Sequence, residues 1–131
     1  MKITIIEDDS ILAENIAKLL KKVGYIVSIY TNSKDFFYSY KNNTDIFIID
    51  INLEWKKEWF KIIEWLRKDK KIMSPIIITS GYSNIENKVY WLDVWADDYL
   101  QKPYSVTELI ARIRTITRRE FQIKENIIEY N

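Results

Sequence analysis

A chain of 131 residues with 47% apolar side chains can bury one real core, and a net charge of +1 offers no electrostatic footprint for nucleic acid or anionic lipid. With no cysteine and no histidine, disulfides, thiol nucleophiles, imidazole metal sites, histidine-based triads and phosphohistidine carriers are excluded. Chemistry is left to carboxylates, hydroxyls, lysine and arginine. The lack of a signal-peptide pattern, of cysteine and of a bilayer-length apolar run fits a cytoplasmic protein with no membrane partner.

The first predicted strand, Lys2–Ile6, runs straight into Glu7, Asp8 and Asp9. A helix follows, with Ile11, Leu12, Ile16, Leu19 and Leu20 at helical spacing, Asp9 or Ser10 as its cap and Gly24 at its end. Next come a strand over 25–30, a short helix around 33–40 and a strand over 45–49 ending at Asp50. Trp59, Ile62, Ile63 and Leu66 mark the third helix, and residues 75–79 the fourth strand, ending at Ser80. Ile85, Val89 and Leu92 predict a fourth helix, and residues 98–100 a fifth strand leading to Lys102 and Pro103. Val106, Leu109, Ile110, Ile113 and Ile116 mark the last helix, with Ser105 and Glu108 as a capping box. After Arg119 the ending FQIKENIIEYN reads as leaving the helical pattern.

Strands alternating with helices imply right-handed crossovers and an α/β fold, a doubly wound five-stranded parallel sheet in the order 2-1-3-4-5. IFIID and PIIIT are apolar on both faces, as buried central strands require. Ligands of such sheets bind at the carboxyl ends of the strands, where Glu7, Asp8, Asp50, Ser80 and Lys102 all fall. Each has two readings. The acids after the first strand either cap the next helix or surround a hard divalent cation. Asp50 is a turn residue or a nucleophile, Ser80-Gly81 a turn or a phosphoryl donor, Lys102-Pro103 a loop or a second positive charge. Convergence of four strand ends favours metal-assisted phosphoryl transfer to a carboxylate.

The stretches IIEDD, FIIDINL, PIIITSGY and ADDYLQKPYSVTELIARIRTITRR together resemble the receiver domain of two-component response regulators, a CheY-like (βα)5 fold, over residues 1 to about 120. The resemblance implies that Glu7 and Asp8 are the acidic pair, Asp50 the phosphorylated aspartate, Lys102 the family lysine and Tyr99 the aromatic switch. Asn52 would offer its backbone carbonyl to Mg2+, and the hydroxyl position falls on Ser80 rather than Thr79, five residues after Pro75. The implied partner is a sensor histidine kinase; the implied role is regulatory rather than enzymatic, with self-phosphorylation and slow self-dephosphorylation only. The similarity is strongest to the winged-helix (OmpR/PhoB-type) subfamily, in which charged residues pair across a symmetric homodimer; Lys88 with Glu108, Asp98 with Arg112, and Asp97 with Arg119 match those positions. Residues 121–131 then read as a linker or the start of a missing output domain that would carry DNA binding.

The chain departs from that pattern at Glu54 and Glu58, where the family has proline and glycine, and at Trp95, where it has glycine. Alternative readings are a stand-alone receiver, or a pseudo-receiver signalling by protein binding without phosphorylation. A flavin-binding protein of the same fold would want a hydroxyl- and glycine-rich loop in place of EDD. An aspartyl-phosphate phosphatase would want its nucleophile and general acid two residues apart after strand one.

Overall fold

The computed structural model describes residues 1–41, 43–51, 56–81 and 95–129, the side chains of 56–58 and 120–129 excepted. The sheet consists of β1 (Lys2–Ile6), β2 (Ile26–Tyr30), β3 (Ile46–Asp50), β4 (Ile76–Ser80) and β5 (Asp98–Gln101), all parallel and ordered β2-β1-β3-β4-β5. The expected topology is therefore the observed one. β3 and β4 each start and end one residue later than the ranges 45–49 and 75–79, and so include Asp50 and Ser80 as their last residues. The backbone ladder continues past the last apolar side chain, with Asp50 opposite Thr79 and Ser80 opposite Gln101.

The helices are α1 (Ser10–Lys22), α2 (Ser33–Ser39), α3 (Lys56–Glu64), continued by a π-helical turn over Trp65–Asp69, and a C-terminal helix (Val106–Glu129). Asp9 caps α1 by accepting from the Leu12 amide at 3.1 Å, so the third acid of the EDD run serves the helix start. Gly24 follows at φ 107°, the left-handed conformation that lets the chain turn back into β2. Ser105 accepts from the Glu108 amide at 3.1 Å, while the Glu108 carboxylate turns to Arg112. The predicted fourth helix lies outside the described residues, as do Asn52, Glu54, Trp55, Lys88 and Trp91, and so does the side chain of Glu58.

One expectation is corrected: the last helix does not end after Arg119 but runs to Glu129. Residues 120–129 hold neither glycine nor proline, and Ile116, Ile123 and Ile127 continue the helical spacing, so nothing local stops it.

Strand alternation sorts the core into two layers. Ile3, Ile5, Ile46, Ile48, Ile77 and Leu100 pack with α1 and the C-terminal helix. Ile6, Phe47, Ile49, Ile76, Ile78 and Tyr99 pack with α2 and α3, including Phe36, Trp59, Ile62 and Ile63. One more step of the same alternation carries Glu7, Asp50, Thr79 and Lys102 onto the first side, and Ser80 onto the side of Tyr99.

Trp95 stands at φ 96°, a conformation that costs a non-glycine residue about 1–2 kcal/mol. Arg67, whose side chain is 8% exposed, holds it there. Its Nε and one terminal nitrogen donate to the Trp95 carbonyl at 3.1 and 2.9 Å, and it also reaches the carbonyls of Ile72 and Ser74 and the Asp97 carboxylate. Lys68 Nζ lies 5.3 Å from the centroid of the Trp95 ring. Thermal unfolding should show Trp95→Gly melting about 3–5 °C higher, as the strain is removed. Arg67→Ala should lose about 1–3 kcal/mol in urea titration, because the Trp95, Ile72 and Ser74 carbonyls and the Asp97 carboxylate lose a charged donor. A lower melting point for Trp95→Gly would mean that ring packing outweighs backbone strain.

Candidate functional site

The carboxyl ends of β1 and β3, and the loop after β5, bring Glu7, Asp50 and Lys102 together. Lys102 Nζ is 3.0 Å from Glu7 Oε1 and 2.7 Å from Asp50 Oδ1. Glu7 is 3% exposed and Asp50 5%. The backbone amide of Lys102 donates to the Ser80 carbonyl at 2.7 Å, tying the lysine to the end of β4, and the Lys102–Pro103 peptide is cis. Asp8, beside them, is exposed.

One ligand oxygen each from Glu7, Asp8 and Asp50 lies within 4.8 Å of the others. Three carboxylate oxygens gathered this closely suit a hard divalent cation such as Mg2+, which takes oxygen ligands and keeps several waters. The donor set suits it too: three carboxylates, one open to solvent where coordinated waters can remain. Glu7 Oε2 is buried and meets no donor among the described residues, which is the position of an acceptor awaiting a cation or a proton.

Without a cation the acids must be offset otherwise, since two carboxylates about 4 Å apart repel by about 4 kcal/mol at an effective dielectric near 20. Lys102 supplies one charge. Burial, reinforced by the neighbouring Asp50, pushes the Glu7 carboxyl up to about 8 against the pull of Lys102, so near neutral pH it holds a proton. Burial alone would lower the Lys102 ammonium, but Asp50 and Glu7 outweigh it and hold it above its usual value.

Two residues near the site carried no signal in the sequence reading. Thr79, set aside there in favour of Ser80, donates its hydroxyl to Asp50 Oδ1 at 3.3 Å. The register of β3 and β4 puts the two residues side by side on one face, and only knowledge of that register could have found the contact. Tyr104 packs on the α1 side of the core, and burial pushes its phenol up to about 12 against the pull of Lys102. Ser80 is buried at the end of β4, and Tyr99 is already inside the α3-side core, 4% exposed.

Four of the charges expected to pair between subunits, Asp97, Asp98, Glu108 and Arg112, have partners within one chain. Arg112 lies 2.9 and 3.0 Å from the two Asp98 oxygens and 3.4 Å from Glu108. Asp97 accepts from Arg67 at 3.0 Å and from the Ile76 amide at 2.8 Å, which anchors β5 to β4. Arg119 is exposed. Sequence spacing marks such charges without saying which partner, internal or external, they take.

Glu7 yields a pH dependence. Its carboxyl titrates near 4.5 when unfolded and about 8 when folded without metal, so between these values the folded chain binds more protons. Stability is then greatest below the lower value and falls as pH rises through the higher one. The chain has no histidine to mask this window. Urea midpoints in chelator should fall from about pH 5 to pH 8, and Glu7→Gln should flatten that slope; a flat wild-type profile would rule out a protonated Glu7.

The sequence matches the family model described as the response regulator receiver domain over residues 3–114. It is 33% identical to the transcriptional regulatory protein CusR of Escherichia coli strain K12, covering 98% of this chain and 60% of CusR. It is 36% identical to the cell cycle response regulator CtrA of Brucella ovis, covering 98% of this chain and 55% of CtrA. The chain thus spans little more than half the length of these relatives. Among solved structures, the receiver domain of the Francisella response regulator 1452 superimposes with a TM-score of 0.76 at 30% identity, over 91% of this chain and 98% of that one.

Proposed function

Since the chain belongs to the response regulator receiver domain family of two-component systems, we propose that it takes a phosphoryl group from the phosphohistidine of a partner sensor kinase onto Asp50. The observation that carries this reading is the Lys102 ammonium 2.7 Å from the buried Asp50 carboxylate, with two further acids beside it. In the transfer, the phosphorus–nitrogen bond of the donor breaks, a phosphorus–oxygen bond to Asp50 forms, and the released imidazole takes up a proton. Asp50 attacks as the anion, so no base is needed on this chain.

Glu7, Asp8 and Asp50, with the backbone carbonyl of Asn52, would hold Mg2+. When bound, that ion neutralises charge on the acids and on the transferring group. Lys102 holds a phosphoryl oxygen by its ammonium, and the bond from its backbone amide to the Ser80 carbonyl keeps it aimed at Asp50. The Ser80 hydroxyl donates to another oxygen. Tyr99 lies on the same side of the sheet as Ser80, so a shift of Ser80 is felt by the ring and passed to the face built from the fourth predicted helix, β5 and the C-terminal helix.

That face would form the homodimer, with Lys88, Asp97, Asp98, Glu108, Arg112 and Arg119 contributing. Because Arg112 is bound to Asp98 and Glu108 within one chain, dimerisation would proceed by exchange of these pairs between subunits. The output would be transcriptional, through a winged-helix DNA-binding domain beyond this chain, acting in the cytoplasm; the relatives' names, a transcriptional regulatory protein and a response regulator, support that direction. Among the described residues no helix is long and apolar enough to cross a membrane.

Intact mass after incubation with acetyl phosphate and Mg2+ should rise by one phosphoryl group, and neither Asp50→Asn nor chelator-treated protein should gain it. Full labelling of Asp50→Asn would show that the acceptor is another residue. Sedimentation of the phosphorylated protein should show a dimer that Arg112→Ala weakens about tenfold or more; an unchanged profile would remove this face from the interface.

A further inference from the structure

Asp50 has hydroxyl-bearing neighbours on both sides of the sheet. Ser80 follows the alternation of Ile78 and lies on the side of Tyr99, whereas Thr79 follows that of Ile77 and lies on the side of Lys102. Thr79 is the register partner of Asp50, 2% exposed, and its Oγ1 donates to Asp50 Oδ1 at 3.3 Å. The same oxygen accepts from Lys102 Nζ at 2.7 Å.

Thr79 sits in a strand whose three preceding residues are isoleucines. A valine would fill the same volume with the same β-branched shape, and a buried hydroxyl is costly unless it is bonded. The hydroxyl therefore has a use that packing does not provide, and Asp50 is the group it meets. We propose that Thr79 is a positioning residue for the phosphoacceptor: with Lys102 it holds Oδ1 of Asp50, fixing the carboxylate plane and leaving Oδ2 to attack phosphorus.

This deepens the phosphoacceptor reading and rests on it. In the step, Oδ2 forms the new bond to phosphorus, the donor's bond to phosphorus breaks, and its electron pair leaves with acetate or imidazole. Oδ1 becomes the carbonyl oxygen of the acyl phosphate and stays bonded to the threonine hydroxyl. Thr79 gives up no proton.

The test compares wild type, Thr79→Val, Thr79→Ser and Asp50→Asn in labelling by acetyl phosphate with saturating Mg2+. The maximal labelling rate of Thr79→Val should fall about three- to tenfold, the range expected for one lost hydrogen bond. The acetyl phosphate concentration at half-maximal rate and the Mg2+ affinity read by tryptophan fluorescence should stay within about twofold. Thr79→Ser, which keeps the hydroxyl, should recover most of the rate, although it loses a methyl group that a packing role would miss. Wild-type speed in Thr79→Val, or equal losses in the valine and serine variants, would overturn the proposal while leaving Asp50 as the acceptor. Failure of the wild type to label, or labelling of Asp50→Asn, would overturn the phosphoacceptor reading and this proposal together. Should Thr79→Val not fold, Thr79→Ala makes the same comparison with Thr79→Ser.

Discussion

The ammonium of Lys102, lodged between Glu7 and Asp50, is the interaction on which the rest of the site depends. The sheet topology forces it. β1 and β3 are neighbours, so the acids at their carboxyl ends are brought close whatever their charge, and two buried carboxylates cannot stay charged side by side without compensation. A lysine from the far end of β5 reaches across, and a proton on Glu7 supplies the remainder. Both are removable. A lysine can swing to a phosphoryl oxygen and a proton can leave, so the arrangement that stabilises the metal-free fold is also the one that leaves the acids available.

Strand alternation divides labour around Asp50. The α1 side carries Glu7, Thr79 and Lys102, the groups gathered around the Asp50 carboxylate. The α3 side carries Ser80 and Tyr99, on the side from which a change could travel outward. At the outer edge of β5, Asp97 and Asp98 are engaged by Arg67 and Arg112 of the same chain. The Arg67 knot fixes the strained turn at Trp95 directly before β5, so the strand bearing Tyr99 starts from a rigid point. Exposed ion pairs such as Arg112 with Glu108 are individually weak, which suits the exchange proposed for the dimer.

Much of this was legible in the sequence because the central strands are apolar on both faces. IFIID and PIIIT, short and rich in β-branched residues, read as buried strands of a covered sheet, and the alternation of strands with helices brings the polar residues at their ends to one edge. Asp50, Glu7, Asp8 and Lys102 were found that way, since each follows directly on an apolar run or its loop. The hydroxyls were harder. Counting from Pro75 selects Ser80, but which hydroxyl faces the Asp50 carboxylate is decided by the pairing of β3 with β4, a property of two strands and not of one. Arg67 was invisible for a related reason: apart from Asp97, the partners identified for it are backbone carbonyls, which have no signature in sequence. The end of the last helix is not legible because the composition changes after Arg119 while the residues there remain able to form a helix.

The central claim is that a proton on Glu7 and the charge of Lys102 together hold the site in the absence of a cation. Calorimetric titration with Mg2+ near pH 7, repeated in two buffers of different ionisation enthalpy, measures it most directly. Saturable binding with net release of protons to the buffer is expected, and no such release from Glu7→Gln. Binding with the same heat in both buffers, or no binding by the wild-type protein, would contradict it.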